Sequence, residues 1–260
     1  MSETAHPDPP PLPSELDALL SRLRLPYLRR HAPHVVATAR SQRWDPAEVL
    51  RVLLAEEAAG RDTATRNRRR KQAGFPAGKT LDAFEETASS IPAATQQALA
   101  TLEWIHRAEN LVVAGPSGTG KSHFVEALGH LAIDSGLRVA WHTLESLGSH
   151  LHRAKVDASV AKAVARLTRA DLVVVDDIGM LPATSEAAEA FYRIVDACYE
   201  RRSLAVTSNI HPSGFDQLLP TTLATATVDR LAHHAHLVET DGDSYRLAEA
   251  TAGKGVIPLT

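Results

Sequence analysis

The run Gly115-Pro-Ser-Gly-Thr-Gly120-Lys121-Ser122 restricts this chain's fold more than any other stretch. Leu111-Val112-Val113-Ala114 before it has the character of a buried strand, and Phe124, Leu128 and Leu131 after it recur at helical spacing. A strand that bends straight into a helix through glycines is the setting of the G-x-x-x-x-G-K-[ST] phosphate cradle. Glycine lets the backbone wrap closely and aim its N–H groups inward, and the helix adds its positive end. Gly115, Pro116, Ser117, Gly118, Thr119, Gly120, Lys121 and Ser122 are therefore the expected nucleotide-binding residues. Lys121 is expected to reach the β- and γ-phosphates, and Ser122 to ligate Mg²⁺.

Beyond residue 81, short apolar runs alternate with helical segments. Arg138–His142, Leu172–Val175, Leu204–Thr207 and Ala235–Val238 read as four further strands, and Ala187, Phe191, Ile194 and Val195 mark a helix between two of them. Such alternation predicts an α/β core with a parallel five-stranded sheet covered on both faces. The third strand ends in Asp176-Asp177. At the tip of a strand neighbouring that of the loop, Asp176 would face the magnesium, and Asp177 would orient or deprotonate the attacking water. A pair of helix-capping acids gives the same pattern. Asn209, closing Thr207-Ser208-Asn209, falls beside the γ-phosphate if the fourth strand lies next to the first; an ordinary turn before Pro212 is the alternative. Arg230 either reaches a neighbouring subunit's nucleotide or forms a surface salt bridge with Asp229 or another acid.

The chain has 260 residues, 44% of them apolar, enough for one sizeable core and a small accessory domain. Residues 1–80 carry 14 basic against 9 acidic side chains, and the remainder 14 against 22, so an anionic partner is expected at the front end. Residues 1–13, with five prolines, read as a disordered tail. A helix is predicted from Ser14, with Leu16, Leu19, Leu20 and Leu23 in register and Pro26 ending or kinking it. Asp45-Pro46-Ala47-Glu48 reads as a capping box opening a helix that buries Val49, Leu50, Leu53 and Leu54. It runs into Arg66, Arg68, Arg69, Arg70 and Lys71, five cations in six positions. Charges so dense encircle a helix, which suits phosphate backbones better than base edges; a solvated helix end is the alternative. Gly74, Pro76 and Gly78 place a boundary between a helical domain (14–78) and a core (79–250) followed by a tail (251–260).

A single cysteine, Cys198, rules out an intrachain disulfide and suits a reducing cytosol. No signal peptide and no apolar run near the ~20 residues of a membrane span are visible, so a cytoplasmic chain with no membrane contact is expected. Cys198 lies on an apolar stripe and reads as core. His233, His234 and His236 have no cysteine nearby and read as a strand end rather than a metal site.

These motifs together resemble the IstB-like ATP-binding proteins, transposition helpers of insertion sequences within the AAA+ superfamily. The resemblance is carried by Lys79–Phe84, Leu102–Ile105, Glu109-Asn110, the phosphate loop with His123, Asp176-Asp177-Ile-Gly179, Thr207–Asn209, Asp229-Arg230-Leu231 and Gly242–Arg246. It implies an AAA+ P-loop core preceded by a small all-α domain that binds double-stranded DNA. It also implies ATP and Mg²⁺ as cofactors, ATP hydrolysis, a homo-oligomer on DNA, and a transposase of the same element as partner. Asp176 and Asp177 then resemble the Walker B pair, with Asp at 177 where many relatives carry Glu. Asn209 resembles the sensor, Arg230 the arginine finger, and Leu144–Leu167 a DNA-lining insert offering His152, Arg153 and Lys155. Phe215 stands where relatives often carry Trp, and no second sensor arginine is assigned. A DnaC-type loader of the replicative helicase shares most of these motifs, and a small-molecule kinase shares the phosphate loop.

Overall fold

The computed structural model describes residues 9–84, 89–156, 158–179 and 183–245. The predicted tail at 251–260 and Arg246 lie outside them, as does most of the tail at 1–13. The chain divides into two compact units after Arg68. The Gly74–Gly78 stretch lies inside the second.

The second unit is built on β1 (Asn110–Ala114), β2 (Val139–Thr143), β3 (Leu172–Ile178), β4 (Ser203–Ser208) and β5 (Ala235–Glu239), in the order β2-β3-β4-β1-β5. Every pairing is parallel. Side chains alternate between two cores, as the period of two requires. Val112, Val173, Val175, Leu204 and Val206 face the core built with α7 (Leu144–Val156), α8 (Val160–Leu167), α9 (Ser185–Cys198) and α10 (Thr221–Ala232). Leu111, Val113, Leu172, Val174 and Ala205 face the core built with α4 (Ala93–Ala100), α5 (Glu103–His106) and α6 (Lys121–Asp134). Phe124 and Leu128 of α6 are fully buried there, each worth about 1.5–3 kcal/mol of transfer free energy. Cys198 is buried in the first core, and burial pushes its thiol up to about 12. One expectation is corrected: β4 lies between β1 and β3, so the Asp176 strand is two strands from the loop's, not its neighbour.

In the first unit, α1 (Ser14–Arg22) and α2 (Pro26–Gln42) precede α3 (Pro46–Ala73), which runs past the division. Pro26 does not kink α1. It opens α2 from the first helical position, where a missing N–H costs nothing, and Pro33 is tolerated within the helix. Buried Glu57 of α3 caps α2, its Oε2 accepting from the N–H groups of Tyr27 and Leu28, both at 2.9 Å. Burial alone would raise the Glu57 pKa, but the Leu28 N–H, the Arg61 guanidinium and the Tyr27 N–H outweigh it and hold it below the ordinary value. Gly60 is required one turn on, because a Cβ there would overlap the Tyr27 ring.

Two further expectations fail here. Asp45 caps α3 through Ala47 N–H at 2.8 Å, but Glu48 turns outward to Arg51 instead of closing the capping box. Leu53 is buried, whereas Leu50 and Leu54 are 62% and 57% exposed. The packed line runs through Val49, Leu53, Glu57 and Gly60, and a residue one step along is turned about 100° away from it.

Glu57→Ala should therefore destabilise the first unit by about 0.5–2 kcal/mol in denaturant titrations at neutral pH. Because the Glu57 pKa is depressed on folding, its contribution is present above about pH 4.5 and is lost as pH falls through the folded value. The stability gap between wild type and variant should shrink across that acid range.

Candidate nucleotide site

β1 delivers the chain into the glycine loop with its backbone already committed. Gly115 N–H donates to Ser208 O at 3.1 Å, at φ +148° and against Thr240, so any Cβ would collide with that backbone. Residues 240–245 brace the loop from behind: Thr240 N–H reaches Ala114 O at 2.7 Å, the Thr119 and Thr240 hydroxyls meet at 2.7 Å, and Tyr245 N–H reaches Gly118 O at 3.1 Å. Gly120 closes the loop and α6 begins at Lys121. The buried Lys121 ammonium donates to Gly115 O at 2.8 Å, Pro116 O at 2.6 Å and Asn209 Oδ1 at 3.0 Å. Asn209 is placed by its own N–H on Ile178 O, at 2.8 Å, so β3 sets its position.

The predicted metal pair also converges. Ser122 Oγ donates to Asp176 Oδ1 at 2.8 Å, and Thr207 Oγ1 donates to the same oxygen. Two hard oxygen donors meeting at the mouth of a phosphate loop fit the donor preference of Mg²⁺. Thr207 Oγ1 in turn accepts from Asp177 N–H at 2.9 Å. Asp177 sits at φ +67° where the β3–β4 register shifts, which turns its exposed side chain out of the strand into the cleft. Lys121, Ser122, Asp176, Asp177 and Asn209 thus line one cleft of about 480 Å³. Lys79 and Phe84 also line it, with His123 edge-on to Phe84 at 5.2 Å. Burial, before any nearby charge, holds the His123 imidazole below its usual range.

The chain matches the family described as IstB-like ATP binding protein over residues 18–252. The chain belongs to that family. This IstB-like protein is 35% identical over 237 residues to the IS21 insertion-sequence protein of Pseudomonas aeruginosa, covering 90% of this chain and 89% of that one. It is 31% identical over 235 residues to an IS21-like insertion-sequence protein of Bacteroides fragilis, with 90% and 89% covered. Among solved structures it is similar in fold to AMPPCP-bound DnaA from Aquifex aeolicus, at TM-score 0.52 and 20% identity over 72% of this chain and 58% of that one. Domain III of Thermotoga maritima DnaA gives TM-score 0.51 at 16% identity over 69% and 74%. The core is thus an AAA+ P-loop fold, and ATP is the nucleotide its family binds.

Other expected site residues of the IstB-like chain are held elsewhere. Arg230 pairs with Asp196 at 3.2 Å and lies over the Tyr192 ring at 5.7 Å, both on α9. Of the salt-bridge partners expected, it is another acid rather than Asp229 that Arg230 meets. Lys155 pairs with Glu189 at 2.5 Å, Arg153 donates to Ser149 O at 3.3 Å, and His152 is exposed. Arg66 donates to Thr63, Arg69 to Gly136 O and Arg70 to Asp134, while Arg68 and Lys71 stand exposed. His236 meets Glu109 at 2.7 Å, but His233, His234 and Glu200 bring ligand atoms within 4.8 Å of one another on the exposed surface. The strand-end reading of the histidines does not anticipate that grouping.

Sequence reasoning gave no role to Thr207, Thr240 or Tyr245. A threonine two residues before the sensor asparagine was the only available signal for the first. Thr207→Val keeps the shape but removes the hydroxyl that joins Asp176 to Asp177. It should lower ATP turnover at least about tenfold, the scale of one lost hydrogen bond to a charged group, while ATP affinity changes much less. Steady-state turnover and equilibrium nucleotide titration separate the two effects.

Proposed function

We propose that this protein is an ATPase that assembles as a homo-oligomer on double-stranded DNA and directs or stimulates the transposase of its own element. The observation that carries the ATPase reading is the convergence of Lys121, Ser122, Asp176 and Asn209 on one loop. Lys121 exchanges its carbonyl partners for β- and γ-phosphate oxygens, Ser122 and Asp176 hold Mg²⁺, and Asn209 reads the γ-phosphate. When bound, the metal would supply neutralisation of the phosphate charge. Asp177 orients the attacking water, or accepts its proton, as the bond from the γ-phosphorus to the bridging oxygen breaks. Insertion-sequence relatives covering nine-tenths of the chain favour a transposition helper over a helicase loader.

For DNA, the reading rests on Arg66, Arg68, Arg69, Arg70 and Lys71, with Arg153 and Lys155 as secondary contacts. Exposed Arg68 and Lys71 need lose nothing to meet a phosphate, whereas Arg69 and Arg70 must first leave the end of α6. Arg230, if it serves a neighbour's nucleotide, must likewise exchange Asp196 for that phosphate.

Lys121→Ala should abolish measurable ATP binding, and Asp177→Asn should bind ATP yet stall turnover and prolong the DNA-bound assembly. Normal turnover in Asp177→Asn removes it from the water-positioning role. Arg68→Ala with Lys71→Ala should weaken duplex binding regardless of sequence and flatten the salt dependence by about two phosphate contacts. An unchanged slope in a salt titration of duplex affinity excludes this cluster from the interface.

A further inference from the structure

Helix α6 is occupied along one side by the chain that precedes the core. Arg69 and Arg70 meet Gly136 O and Asp134 at its C-terminal end. Phe75 packs on Gly129 and on the His130 ring, with centroids 4.2 Å apart. The N–H groups of Ala77, Gly78 and Lys79 all donate to Glu126 Oε1, at 3.2, 2.5 and 3.1 Å. Thr80 O then meets His123 Nε2 at 3.4 Å, and Phe84 lies against His123 and Phe124. Residues 69–84 therefore run antiparallel to α6 towards the phosphate loop, and His123, Glu126 and His130 receive them at i, i+3 and i+7, one helix face.

Glu126 is the fixed point of this strap. It is 1% exposed on a helix otherwise buried among apolar groups. A carboxyl group buried in such a place needs hydrogen-bond partners, and three successive backbone N–H groups form a concave donor set around its Oε1. Gly78, at φ +69°, gives the turn the left-handed step that lets successive N–H groups face inward. Downstream of that turn, Lys79, Ala83 and Phe84 line the same cleft, the Phe84 ring lying beside Gly120. Phe84 offers there an aromatic surface of the kind nucleobases pack against.

We infer that Glu126 is a positioning residue for nucleotide selection: by gathering the 77–79 turn it holds the Lys79–Phe84 arm as the wall that receives the nucleoside end of the triphosphate. This rests on the nucleotide reading of the cleft. The strap that carries this arm begins at Arg69 and Arg70, at the far end of α6.

The test compares Mg·ATP with magnesium tripolyphosphate, which presents phosphates and no nucleoside, by calorimetry on the full chain. Wild type should bind ATP more tightly than tripolyphosphate. Glu126→Ala should weaken ATP about tenfold and tripolyphosphate less than about twofold, and Glu126→Gln, which keeps the acceptor oxygen without its charge, should fall between. Equal losses for both ligands, or unchanged ATP affinity, overturn the inference. Should Glu126→Ala lack a cooperative melt, Phe84→Ala decides, with the same split expected and equal losses overturning it. Wild type binding both ligands equally overturns this inference alone, whereas wild type binding neither overturns the nucleotide site itself.

Discussion

A single carboxylate oxygen ties the three parts of the core together. Asp176 Oδ1 receives the hydroxyls of Ser122, from the first turn of α6, and of Thr207, from β4. The loop helix, the acidic strand and the strand between them are thereby fixed at one point. Such a junction is possible only because β4 is inserted between β1 and β3, which brings three strand tips to one edge in the order the chemistry needs. A charged acceptor that receives two hydroxyls is held in place by the protein's own side chains.

Much of this was legible in the sequence because its signals are local. The glycine loop, the apolar run before it and the stripe of Phe124 and Leu128 after it specify a strand, a turn and a helix without reference to anything distant. The inner strands β1, β3 and β4 were readable for the same reason, since strands buried on both faces are largely apolar. The edge strands β2 and β5 are partly exposed and carry a weaker pattern. What the sequence withheld was order and long-range partnership. Nothing in a linear pattern says that β4 separates β1 from β3, that Thr240 braces Gly115, or that Glu126 reaches back to Ala77, because each depends on contacts dozens of residues apart.

The helical front end shows the opposite failure. Pro26 was read as the end or kink of one helix, and α1 does stop before it, at Arg22. But Pro26 also opens the next helix, since the first position needs no N–H and Glu57 supplies a cap from another helix. Leu50 and Leu54 carried the right spacing for a core face and lie outside it. Helical periodicity defines a stripe but not its rotation. Here the rotation is set by Gly60, the only residue that admits the Tyr27 ring at that point of α3.

The backbone at Asp177 bears on how this family can vary. Its positive φ belongs to a region that aspartate and asparagine enter readily, because a short polar side chain can bond locally there, and that longer side chains enter at a cost. A glutamate at the same place gains reach but loses conformational ease, unless the bulge in β3 relaxes with it. Carboxylate length and strand geometry at this tip are therefore one variable rather than two, and homologues that lengthen the acid are expected to straighten the strand beneath it.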